Sequence, residues 1–281
     1  MKLILSRKGF DSSYGGIPSP IFPSGLFFSL PIPSKGTGIK YSDISIREHT
    51  YGKVVADLSD GLISPDAEAH LDPDLFDGSI KREQGWLPLF GQTGAAETHL
   101  ENKKVGVGDV FLFFGWFKEI IVVNGEISYK TNAPDLHVIF GWMQIGKIIK
   151  VKNKYEFPPW SLYHPHVRRN EYLENDTVYI ARNNFSLPNF DIDRPGGGIF
   201  RNYHSNLCLT NNNRPRSQWK LPGWMNPFGR KSTLSFHGNP GRWKTEGDSV
   251  ILNSVNRGQE FVLDCDDYPE ALKWVADLLR I

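Results

Sequence analysis

Apolar residues in this chain come in short clusters separated by glycine, proline and polar turns, a pattern of many brief strands and few helices. Leu3-Ile4-Leu5 predicts a short buried strand that runs straight into Ser6, Arg7, Lys8, Asp11, Ser12 and Ser13, punctuated by Gly9, Gly15 and Gly16. Pro18 to Pro33 carries five prolines, which bar helix interiors and central strands and so predict an extended arm or edge strand. Tyr41 to Leu58 predicts a short helix with Asp43, Arg47 and Glu48 on its polar side. Gly91-Gln-Thr-Gly94 predicts a turn opening a helix over Ala95–Leu100, whose first backbone amides would be offered to a phosphate or a developing negative charge.

The clearest strands are Val105–Phe117, Glu119–Val123 and His137–Val151, with a hairpin signal at Asn124-Gly125. Asp176–Ala181 and Gln259–Leu263 predict two more. Pro269–Ile281 reads as an amphipathic helix burying Leu272, Val275, Ala276 and Leu279. No repeat or clean linker interrupts the chain, so the expectation is one compact α+β domain over residues 1–281. Its centre would be a mostly antiparallel sheet or, by analogy of fold with the Gly-Asp-apolar strand pattern, a PUA-like small β-barrel. Short helices and long structured loops would surround it.

Net charge is +1, which alone says nothing of an anionic partner, but its distribution is uneven. Tyr41–Asn102 holds twelve acidic and four basic residues, whereas Arg194–Thr245 holds nine basic residues and no acidic one. In that basic sub-region (194–245), cations alternate with Trp219, Trp224, Phe228, Phe236 and Trp243. Such interleaving suits DNA, because cations meet phosphates while rings stack or wedge. The candidate DNA contacts are Arg168, Arg169, Arg214, Arg216, Lys220, Arg230, Lys231, Arg242 and Trp243; the competing account buries the tryptophans in a core. Cys208 and Cys265 are far apart and read as free thiols of a reducing compartment. The longest apolar run is too short to span a bilayer and the opening residues do not form a signal peptide, so a cytoplasmic protein without membrane contact is expected.

Dinucleotide, phosphate-loop and zinc-deaminase motifs are absent, which disfavours nicotinamide enzymes, kinases and deaminases. His164-Pro-His166 could ligate a metal, but no carboxylate or cysteine sits at matching spacing. Hydrogen bonding to a base or phosphate, or a plain turn, is the favoured reading, with neither metal nor cofactor expected.

The opening motif, Asp72-Pro-Asp-Leu75, Phe90-Gly-Gln-Thr-Gly-Ala-Ala96 with His99, Gly108–Phe117, His137–Trp142, His164-Pro-His166 and Arg242-Trp243 together resemble the nucleotide-modification-associated domain family, third type. The resemblance covers nearly the whole chain. It implies a role in modifying, removing or recognising altered bases in DNA, in conflict between bacteria and phage, without implying a settled reaction.

Cutting a base from its deoxyribose needs a carboxylate to stabilise the sugar's positive charge and a donor for the departing base. Asp11 is the first candidate, Asp74 the reserve, and Lys8 the cation beside them. Ser6, Arg7, Ser12, Gln92, His99, His164 and His166 are candidate contacts to base or phosphate. The expectation is therefore a DNA glycosylase, a hydrolase acting on a modified base such as glucosylated hydroxymethylcytosine in phage DNA. The alternatives are a non-enzymatic reader of modified bases and a base-modifying transferase.

Overall fold

The computed structural model describes residues 1–169, 173–256 and 258–281. It is an α+β fold built on a mixed, mostly antiparallel nine-stranded sheet. Strand β1 (Lys2–Arg7) is followed by β2 (Ser19–Ile21), then by a two-stranded ribbon of β3 (Ser45–Ile46) and β4 (His49–Thr50). Helix α1 covers only Tyr51–Leu58. The helix expected from Tyr41 cannot start there, because Arg47 takes the ribbon's turn at φ 52°, outside helical space. Thr50 instead begins the helix by accepting a hydrogen bond from the Lys53 amide.

Next come β5 (Leu89–Gln92) and α2 (Gly94–Asn102), then the long pair β6 (Val110–Val123) and β8 (Leu136–Lys150), with β7 (Glu126–Tyr129) between them. Strand β6 starts at Val110 rather than Val105 and runs on through Lys118, joining the two expected segments, and β6 and β7 meet at Asn124-Gly125, both at positive φ as a tight hairpin requires. After α3 (Pro165–Arg168) follow β9 (Thr177–Ala181), β10 (Gly197–Ile199) and β11 (Gln218–Pro222). The chain closes with β12 (Trp243–Glu246), β13 (Ser249–Asn253), β14 (Glu260–Asp264) and α4 (Glu270–Leu279).

Strands run in the order β14-β1-β6-β8-β9-β5, with β2 and β7 also on β6 and β10 on β8. Strands β1 and β2 lie end to end along β6, both parallel to it: β1 opposite Val110–Phe114 and β2 opposite Phe117–Glu119. The opening loop leaves the sheet in the gap between them. There a Cβ on Gly115 would lie 2.7 Å from the Lys8 carbonyl, so only glycine admits this departure.

The path is open, not a closed barrel: among the described residues β14 and β5 are its two ends. Yet the sheet curls enough that Gln92, last in β5, reaches Glu260, first in β14, through side chains. Phe90, Phe111, Phe113 and Tyr179 pack together inside the curl, with ring centroids 5.2–5.9 Å apart. The same core cluster takes in the three-stranded β11-β13-β12 sheet and the buried face of α4, including Ala271, Val275, Ala276, Leu278 and Leu279. Full burial of each such Val or Leu stabilises by roughly 1.5–3 kcal/mol. No described helix is long and apolar enough to cross a membrane.

The basic sub-region folds around its tryptophans. Trp219 is fully buried and donates from Nε1 to His137 Nδ1 (3.0 Å), and Trp243 donates to the His237 carbonyl. Its exposed rings are Phe228 and Phe236.

Candidate functional site

At the C-terminal end of β1, alternation turns Ser6 inward, and the β1/β14 register sets it opposite Glu260. Lys8 follows where the chain leaves the sheet, and its Nζ lies 2.9 Å from Glu260 Oε1 and 4.4 Å from the centre of the Phe90 ring. Gln92 Nε2 donates to the same Oε1 at 2.6 Å. The other carboxylate oxygen, Glu260 Oε2, and the Ser6 hydroxyl are buried without a hydrogen-bond partner. Lys8, Ser6 and Gln92, far apart in sequence, therefore converge on a carboxylate that sequence reasoning passed over. The signal was present: Glu260 lies within the expected last strand, directly before the apolar run Phe261-Val-Leu263.

The surroundings of this centre are cationic and aromatic. His99 approaches Ser235 Oγ at 3.0 Å and stacks on Phe236, which stands exposed at φ +67°, a backbone region that a bulky residue seldom occupies. Ser235 Oγ in turn binds the β14 backbone at Val262. Arg7 donates to the Val255 and Asn256 carbonyls. Its pKa is lowered by burial and by the neighbouring Arg216, against the opposing pull of Asp11. Arg216 stacks on Trp116, 4.0 Å from the ring centre.

Asp11 sits in the opening loop, where its Oδ1 accepts from the Ser13 and Tyr14 amides at 2.7 Å as an Asx turn. Ser12 is exposed in that turn. Asp74 stands elsewhere, gripped in a buried fork by Arg82 (2.6 and 2.7 Å) and by the Tyr163 hydroxyl. The start of α2 is not an open anion site at its first amide: Gly94 N–H donates to Asn175 Oδ1.

His164 and His166 meet the Asp72 carboxylate, brought from a distant loop. His164 Nε2 is 3.2 Å from Oδ1, and His166 Nε2 and His70 Nε2 are 3.6 and 3.8 Å from Oδ2. Asp72 Oδ1 also accepts the Gly91 N–H. A side chain at Gly91 would run into the His166 ring, so glycine alone lets β5 approach. Burial pushes the pKa of His70 down to about 4 and that of His166 to about 3, against the pull of Asp72. Asp72 is itself held below the usual carboxylate range: burial would raise it, but the three imidazoles outweigh that. Gly91 and Gln92 thus join two buried polar centres through adjacent residues.

The candidate DNA contacts scatter. Arg169 pairs with the buried Asp176, Arg230 with Glu270, and Arg242 donates to the Asn253 carbonyl. Arg168 packs its guanidinium against Gly38. Arg214, Lys220 and Lys231 are exposed, whereas Trp243 is core. A separate cleft of about 1060 Å³, lined among others by Arg82, Trp86, Trp142, Arg194, Arg201 and Tyr203, offers further planar and cationic surface. Neither Lys8 nor Glu260 lines it.

Fold and site together define an α+β protein with a buried acid–cation centre where the two ends of its sheet meet. The model of the nucleotide modification associated domain 3 family matches residues 2–264, and the chain belongs to that family. No curated protein and no solved structure matches it. The family is associated with nucleotide modification, which gives the site its theme without its reaction.

Proposed function

We propose that the protein is a DNA glycosylase that hydrolyses the N-glycosidic bond of a modified base, in phage DNA for instance. One observation carries this reading: the Glu260 carboxylate is paired with Lys8 and Gln92 through one oxygen, while its second oxygen and the Ser6 hydroxyl are buried without partners. An ionised carboxylate with a free oxygen suits two tasks, stabilising positive charge at C1′ and taking a proton from water. In the reaction the C1′–N bond breaks, water supplies the hydroxyl that bonds to C1′, and the base leaves with the proton. Lys8 is the donor available to that base.

A target base must leave the stack to reach such a centre, at a cost of a few kcal/mol. The exposed Phe236 ring supports this step as a surface on which a displaced or neighbouring base stacks. Arg7 and Arg216 supply cationic surface for phosphates beside it. Asp11 contributes here through its field on both arginines, whereas Asp74, clasped by Arg82, stands outside this centre.

The test incubates purified protein, without added cofactor, with DNA carrying glucosylated hydroxymethylcytosine and with unmodified DNA. Hot alkali then reveals abasic sites and mass spectrometry identifies the released base. Alkali-labile breaks in modified DNA alone are expected. Glu260→Gln should slow release by about 10²–10³-fold, the usual cost of losing one transition-state stabiliser, while DNA binding persists. Selective binding with no release from the wild-type protein would leave a reader of modified bases in place of an enzyme.

A further inference from the structure

We propose that His70, Asp72, His164 and His166 bind one divalent first-row transition ion, of which zinc is the best match. This inference stands apart from the glycosylase reading. The ligand atoms of His70, Asp72 and His166 all lie within 4.8 Å of one another. A tetrahedral ion with ligand bonds of about 2.0–2.1 Å places neighbouring ligand atoms roughly 3.4 Å apart. The three imidazole Nε2 atoms stand 3.2, 3.6 and 3.8 Å from the Asp72 oxygens, bracketing that separation. The two longer contacts, from His166 and His70, exceed good hydrogen-bond length.

Two further observations point to a cation. His164 is wholly buried, faces Asp72, and has no hydrogen-bond partner at either ring nitrogen. Leaving such a group unsatisfied is destabilising, and a metal bond would remove that cost. His166 supplies the second. Its Nδ1 is 2.7 Å from Asp176 Oδ1, and Asp176 is itself paired with Arg169. Arg169 Nη2 also comes within 3.1 Å of Nδ1. The shorter contact to an acceptor-only carboxylate sets the proton on Nδ1, so the Nε2 lone pair faces the Asp72 carboxylate. Two electron-rich groups facing each other in a buried site call for a cation between them. A carboxylate orienting a histidine from behind is also how metal-bound imidazoles are commonly held.

Three imidazoles and one carboxylate select transition ions over magnesium or calcium. With four protein ligands the site is closed, so the ion would clamp the loop at 70–72 and α3 onto β5 at Gly91. It would thereby fix Gln92 against Glu260.

Metal content of the full-length protein, expressed in zinc-supplemented medium and desalted, tests this by elemental mass spectrometry. About one zinc per chain is expected. After chelation, Co²⁺ should restore one equivalent with the visible bands of a tetrahedral nitrogen- and oxygen-ligated ion. His164→Ala should lose the bound ion, and Asp176→Asn should weaken affinity about 10–100-fold. His204→Ala, away from the cluster, should leave it unchanged. Should the variants fail to fold, the wild-type stoichiometry and the Co²⁺ spectrum still decide. No bound ion and no Co²⁺ spectrum from folded wild type would overturn the site, as would unchanged affinity in a folded His164→Ala protein. Since no readout involves DNA, failure here and failure of glycosylase activity are separately visible.

Discussion

Replacing Lys8 by Met should destabilise the protein by about 3–5 kcal/mol, because it strands the Glu260 charge in the core. At 2.9 Å the gross attraction between the pair is ~6 kcal/mol for an effective dielectric of 20. Most of that offsets the cost of taking both ions out of water. The net contribution of the pair is therefore small, while the penalty for breaking it is large. The penalty is also unequal. Glu260 is 1 % exposed and Lys8 10 %, so Lys8→Met leaves the deeper charge unpaired. Glu260→Gln leaves an ammonium that still lies over the Phe90 ring and near solvent, and should cost about 1–3 kcal/mol. The double variant should cost well less than the sum of the singles, with a coupling energy of at least ~2 kcal/mol. Urea unfolding followed by tryptophan fluorescence measures all four proteins, provided the denaturant slopes agree. Additive single effects, within about 0.5 kcal/mol, would refute a buried ion pair.

Three other expectations follow from particular contacts. Arg82→Ala should cost about 3–5 kcal/mol by orphaning Asp74, and Arg82→Lys should recover only part because lysine cannot grip both oxygens; thermal melts compare them. Burial holds His237 at about 4, while its Nδ1 donates to the Ser235 carbonyl and its Nε2 accepts from the Val255 amide. Its folded pKa is depressed, so its contribution is complete above about 6.5 and is lost as pH falls towards 4. His237→Gln should accordingly flatten the fall of stability in that window by up to ~1.4 kcal/mol per pH unit, measured by denaturant titration at several pH values. Phe236→Ala should weaken binding of single-stranded DNA by about 1–3 kcal/mol and leave the unfolding midpoint nearly unchanged. Loss of stability without loss of binding would assign the ring to packing.

The sequence by itself determined the local elements wherever short-range chemistry decides. Leu3-Ile-Leu5 had to be a buried strand, Asn124-Gly125 had to be a hairpin turn, and the apolar stripe of residues 270–279 had to be a core-facing helix. It also marked Lys8, Gln92 and the two histidines as polar groups in apolar or glycine-rich settings. The extent of α1 was not legible, because a single left-handed residue, Arg47, overrides helical propensity. Nor was the fate of the basic sub-region, where Trp219 and Trp243 are drawn inward by a three-stranded sheet that no local pattern announces.

The carboxylates of the two buried centres were decided by tertiary structure alone. Spacing around His164-Pro-His166 showed no acidic partner because Asp72 arrives from a distant loop, admitted by the missing side chain of Gly91. Likewise, only the curl of the sheet brings the end of β5 to the start of β14, so that Gln92, Lys8 and Glu260 share one oxygen. Charges in such places interact strongly because water is excluded, and that exclusion is a property of the packed whole rather than of any segment.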